Sequence, residues 1–137
     1  MGMALKMVSA YLDAKGVRYK TNESRNAIEL GFKADNKEGI DLILFFDEDD
    51  GGMALRSFNY CKFPESKLAN MYQLCSEMNK DYRWIKFYVD ERDNTITLSD
   101  DAVIQLDSCG DEAWELIVRM VSIGDEAYPK FMKVLWS

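Results

Sequence analysis

The residues best equipped for chemistry stand together: Asp47, Glu48, Asp49 and Asp50, followed by Gly51 and Gly52 and preceded by Phe45 and Phe46. Clustered carboxylates before glycines suggest calcium, which takes oxygen ligands from a flexible loop. A helix–loop–helix calcium site needs ligands at loop positions 1, 3, 5 and 12, with glycine at 6. Counting Gly52 as position 6 places Asp47 and Asp49 well, but Gly51 and Phe58 then fall at 5 and 12. The flanks also read as strands, where such a site needs helices. Asp-Gly and Gly-Gly instead supply the positive φ that tight hairpins require. The expectation is a hairpin tip with solvated acids over 47–50, binding a divalent ion no better than millimolar. No metal site is assigned.

Little else in the chain suggests catalysis. It contains no histidine, which removes Ser-His-Asp and Cys-His pairs and the commonest general base near neutral pH. Neither glycine-rich phosphate loop is present. The carboxylate pairs Asp100–Asp101 and Asp111–Glu112 are adjacent in sequence. Such neighbours point to opposite faces of a strand, or lie about 100° apart on a helix, so they do not converge. No catalytic residue and no cofactor is expected. Carboxylates brought together from distant segments leave one alternative, a small-ligand binder or enzyme with a carboxylate-lined cleft.

Composition bounds the partners. The 137 residues suit one domain over 1–137, and the 47% apolar content argues against disorder. A net charge of −7 opposes phosphate backbones, so no nucleic-acid partner is expected. Apolar runs are far too short for the ~20 residues that cross a bilayer, so no membrane partner is expected. Three cysteines without a C-x-x-C pair, and no visible secretory leader, point to a reducing cytoplasm.

Periodicity supplies the elements that would position any site. A helical stripe through Met3, Met7, Val8, Tyr11 and Leu12 stops at Gly16. Alternating or apolar runs over 17–21, 27–34, 40–46 and 53–63 read as four strands separated by polar turns. Pro64 opens a helix that carries Leu68, Met71, Cys75 and Met78 on one stripe. Strands follow over 83–90 and 95–98, and a bulge at Asp100–Asp101 would extend the second to 102–106. Asp107 or Ser108 caps a last helix, which Gly124 and Pro129 should kink or interrupt. The fold class is α+β, in the order α-ββββ-α-ββ-α. It has an antiparallel sheet of five or six strands with helices packed on it.

Alternation also separates the two faces of the sheet. Ile85, Phe87 and Val89 are assigned to the helix-covered core, which leaves Trp84, Lys86 and Tyr88 on the other face. Arg56, Phe58 and Tyr60 share one face of their strand, and Ile43 and Phe45 one face of theirs. If these coincide, aromatics and bases interleave on one surface, a composition favoured at protein interfaces. Ile43, Phe45, Arg56, Phe58, Tyr60, Trp84, Lys86 and Tyr88 are therefore the candidate partner-binding residues. Two coverings are open: the chain's own segment over 127–136, or another protein, including a second copy about a two-fold axis.

Pro64, Asn79, the run WIKFYVD over 84–90, Tyr128–Pro129 and Trp136 together give the chain a familiar look. In these and in its element order it resembles the YbjN family, labelled bacterial sensory transduction regulators. The resemblance implies a fold similar to type III secretion chaperones, in a bacterial cytoplasm, and carries over no catalytic residues. The function expected is a noncatalytic protein–protein interaction module, chaperone-like or regulatory, that binds a protein partner and forms a homodimer.

Overall fold

The structure is a computed structural model, and it describes residues 2–137. The chain runs α1 (Met3–Lys15), β1 (Lys20–Asn22), β2 (Ala27–Phe32), β3 (Ile40–Phe46), β4 (Gly52–Lys62), α2 (Leu68–Asp81), β5 (Lys86–Asp90), β6 (Thr95–Val103) and α3 (Cys109–Leu135). The six strands form one antiparallel sheet in the order β1-β2-β3-β4-β6-β5. Three helices and this sheet make the α+β architecture expected from the alternation of periods.

The helices lie on one face. Leu5, Val8 and Leu12 of α1, Leu42 and Leu44 of β3, and Ile117 and Met120 of α3 are all buried in one core. Each such side chain contributes roughly 1.5–3 kcal/mol through the apolar area it removes from water. At the centre, Tyr60 stands edge-on to Phe131 and Tyr128, with ring centroids 5.4 and 5.5 Å away. Phe87 stacks on Phe131 at 5.5 Å. The segment over 127–136 is thus part of the helical layer, and it does not cover the second face of the sheet.

β4 bears the main irregularity. Its register with β6 shifts between Ser57 and Cys61, where Asn59 adopts φ 57°. β4 advances four residues there while β6 advances two, and the two extra residues break the alternation locally. Tyr60 is thereby turned inward to 2% exposure, and its hydroxyl donates to the Gly124 carbonyl at 2.6 Å. This corrects the expectation that Tyr60 shares a face with Phe58. β6, in contrast, runs unbroken through Asp100 and Asp101, opposite Leu55 and Ala54. The bulge expected there lies in its neighbour.

α3 is also unbroken where an interruption was expected. At Gly124 a Cβ would stand 3.0 Å from Leu98 and 3.3 Å from Ile40, so the missing side chain lets the helix approach the sheet closely. Pro129 cannot donate to the carbonyl four residues earlier. That carbonyl, of Asp125, accepts instead from Asn36 Nδ2 at 3.2 Å. The Asp125 carboxylate gathers the backbone N–H groups of Asp35, Asn36 and Lys37 at 3.2, 2.7 and 3.3 Å. The loop between β2 and β3 is therefore fastened where proline weakens the helix.

The remaining boundaries differ in detail. β1 begins at Lys20, because the Val17 N–H is still bonded to Leu12 O as the chain leaves α1. A 3₁₀ turn over Glu65–Lys67 separates Pro64 from α2, so Pro64 precedes the helix instead of opening it. Asn79 near the end of α2 takes the Phe87 N–H on its Oδ1 at 2.7 Å and donates Nδ2 to Phe87 O at 3.0 Å. It thus acts as a side-chain mimic of a neighbouring strand.

Tyr60→Phe should cost about 1–2 kcal/mol, because it leaves a buried carbonyl without its donor. A fall of roughly 3–6 °C in thermal midpoint, read by circular dichroism, is the expected outcome. An unchanged midpoint would show that the hydroxyl contributes nothing to anchoring α3.

Candidate functional site

The acidic turn is built for a structural task. Asp49 Oδ1 accepts the Gly51 N–H at 2.8 Å and closes its own turn. Asp50, at φ 61°, reaches across the molecule to accept the Ala4 N–H at 2.9 Å. Gly2, which precedes α1, has no side chain to cap it, so the remote carboxylate satisfies one of the helix's free N–H groups. Its negative charge also suits the positive end of the helix dipole. Asn26 completes the join, accepting from Gly2 N at 3.2 Å and donating to Phe46 O at 3.0 Å. The turn is a hairpin tip as expected, but two of its acids are committed to backbone groups and are not merely solvated. Asp50→Ala should cost about 1 kcal/mol, the usual loss of a helix cap. The thermal midpoint should drop by roughly 3–4 °C, while Glu48→Ala, exposed in the same turn, leaves it unchanged.

The open face of the sheet follows from the register. Ile43 lies opposite Arg56 and Phe45 opposite Ala54, while Lys86 pairs with Ser99 and Tyr88 with Thr97. Residues directly opposite in an antiparallel pair point to the same side. Ile43, Phe45, Arg56, Lys86 and Tyr88 therefore share this face. Phe58 joins them, lining a cleft with Asp41 and Ile43. Phe58 and Tyr88 are 39% and 41% exposed. No helix covers this face among the described residues.

Two of the eight predicted residues lie elsewhere. Tyr60 is in the core, as described above. Trp84 precedes β5 with φ 74°, a backbone state that breaks strand alternation and is strained for so bulky a side chain. Its ring is sandwiched between Arg83 and Arg119, whose guanidinium carbons lie 4.6 and 4.1 Å from the ring centroid. Arg119 belongs to α3, so Trp84 stacks on the helical layer and is separated from Tyr88. Val103, 81% exposed at the end of β6, faces the same side as Asp101 and was missed by the sequence reading. Its position depends on β6 running on without a bulge, which the Asp-Asp pair disguised.

The face's bases are engaged locally. Arg56 makes a two-pronged pair with Asp101, at 2.7 and 3.3 Å. Lys86 Nζ donates to the carbonyls of Asn79 and Tyr82 at 3.0 and 3.1 Å, closing the end of α2. Arg25 lies 4.8 Å over the Phe45 ring. At the β4 bulge, Lys37, Asp41, Ile43, Phe58, Asn59 and Tyr60 border a cleft of about 320 Å³. A second depression, beside the acidic turn, has Asp47, Asp101 and Val103 on its walls. Asp101 is already paired with Arg56.

Nucleophiles are suppressed by burial. Desolvation pushes the Cys75 thiol up to about 12 and Cys61 up to about 11, so both stay protonated near neutral pH. Asp100 is raised as well, chiefly by desolvation, with Arg119 and Arg56 pulling it back and Asp101 adding to the rise. Its Oδ2 is buried without a hydrogen bond. A carboxyl group raised in the folded state holds its proton to higher pH than in the unfolded chain. Its protonation therefore favours folding at acid pH, and that contribution is lost as pH rises through the folded pKa. Asp100→Asn should raise the thermal midpoint near pH 7, and the gain should shrink toward roughly pH 4. Thermal melts across that range check the sign.

The profile of the family described as "YbjN: Putative bacterial sensory transduction regulator" matches residues 4–131. The crystal structure of E. coli YbjN superposes with TM-score 0.66 at 14% identity, covering 92% of each chain. A chain of the ExsC–ExsE complex superposes with TM-score 0.60 at 11% identity, covering 94% of this chain and 96% of that one. A chain of the ExoU–SpcU complex from the Pseudomonas aeruginosa type III secretion system gives 0.47 at 17% identity, covering 92% and 95%. No curated protein matches the sequence. At such identities E. coli YbjN and the ExsC–ExsE chain show a shared fold, and the match over 4–131 shows more: this chain belongs to the YbjN family.

Proposed function

We propose that the protein is a noncatalytic protein–protein interaction module of the bacterial cytoplasm, chaperone-like or regulatory, with the open face of its sheet as the docking surface. The observation that carries this reading is the combination of Ile43, Phe45, Phe58 and Tyr88 on one face that no helix of the chain covers. Half-exposed aromatics set among hydrogen-bonded charges are the usual material of an interface centre and rim. The family's regulatory description supports it. So does the occurrence of the same fold in the ExsC–ExsE complex. The protonated buried thiols and the absence of histidine fit the noncatalytic part of the reading.

The test compares the native chain with Phe58→Arg/Tyr88→Ala. Both positions are on the surface, so the variant should melt within about 2–3 °C of the parent. Proteins captured from the source cell by the native chain should be lost from the variant. An identical set captured by both would defeat the assignment of this face.

A further inference from the structure

The cleft at the β4 bulge has a charge pattern of its own. The bases nearest to it are occupied. Lys37 Nζ donates to Gly39 O at 2.8 Å and stands 5.5 Å from the Tyr128 ring. Arg56 is held by Asp101, and Lys86 by the end of α2. Of the other bases of the face, Arg25 lies over the Phe45 ring, and Lys20 and Lys62 lie on the border strand β1 and at the last residue of β4. Asp41 differs. It is exposed on the open face, and among the described residues its carboxylate makes no ion pair and no hydrogen bond. It lies over Gly31, where a Cβ would come within 2.7 Å of Asp41 Oδ1, so the glycine makes room for it beside the cleft. The cleft thus combines apolar walls from Ile43 and Phe58 with the unpaired Asp41 carboxylate, while the Lys37 ammonium at its border is turned to the Gly39 carbonyl.

We propose that this cleft receives a segment of another protein in which a lysine or arginine stands next to an apolar side chain. The apolar group packs against Ile43 and Phe58, and the cation meets Asp41. This rests on the reading of the open face as a docking surface and adds the charge of the partner. The chain's net charge of −7 works in the same direction, by steering a basic segment toward it. A second copy is the poorer occupant. It brings the same negative total, and its Arg56 is already held by Asp101.

Three peptides of equal length, alternating leucine with lysine, with serine or with glutamate, serve as probes against the isotope-labelled chain. The leucine–lysine peptide should shift the amide resonances of Asp41, Ile43 and Phe58, and bind more tightly than the other two. Asp41→Asn should weaken it about two- to fivefold, the size of one partly exposed ion pair. Glu48→Gln, a charge removed from the acidic turn, should leave it unchanged. Equal binding of the leucine–serine peptide overturns the charge assignment but leaves the docking face standing. Shifts confined to residues 47–51, or a cleft that responds to none of the peptides, overturn the inference outright. Sedimentation separates the remaining case: a dimer broken by Phe58→Arg gives the face to a second copy and overturns the basic partner.

Discussion

Tyr60 can donate to Gly124 only because β4 carries two extra residues at its bulge, and much of the molecule depends on that insertion. Without it, alternation would leave Tyr60 outside beside Phe58. The core would lose the ring that Phe87, Tyr128 and Phe131 pack around. α3 crosses the sheet closely at Gly124, and the phenol fastens it there. A few residues later Pro129 removes a rung of the helix, and Asn36 with Asp125 replaces it by tying down the loop before β3. The outward side of the same bulge leaves Phe58 and Asn59 exposed and opens the cleft beside Asp41. Helix anchorage and surface relief are two results of one local distortion.

The order of elements was legible because polar turns interrupt clear period-2 runs, and because the helices show apolar stripes. The open face was legible wherever strands stay regular, which is why Ile43, Phe45, Arg56, Lys86 and Tyr88 fall together. It failed where the backbone leaves the strand conformation. Asn59 tolerates the left-handed region, a weak hint of the bulge that moved Tyr60. Trp84 at φ 74° gave no hint, since no rule of spacing anticipates a tryptophan there. Long-range pairings were also beyond reach. Nothing near Asp50 indicates that it caps a helix 46 residues earlier in the chain. Likewise, nothing near Pro129 indicates that Asn36 takes over its carbonyl.

The residues that carried the family resemblance acquire physical roles in the structure. Tyr128 packs on Tyr60, Pro129 marks the helix turn where the loop is pinned, and Asn79 holds the start of β5. Their roles concern how helices and sheet are joined, not chemistry at a centre. The fold they hold together is shared with E. coli YbjN at 14% identity.

Asn79 has one more consequence. β5 is the last strand of the sheet, and the N–H and carbonyl of Phe87 point outward from its rim. A bare rim of this kind is a template on which another chain can lay a strand, and repeated addition leads to fibrils. The carboxamide already occupies the middle of that template. The sheet is thereby closed to growth on that side, and the rim is kept from open-ended polymerisation.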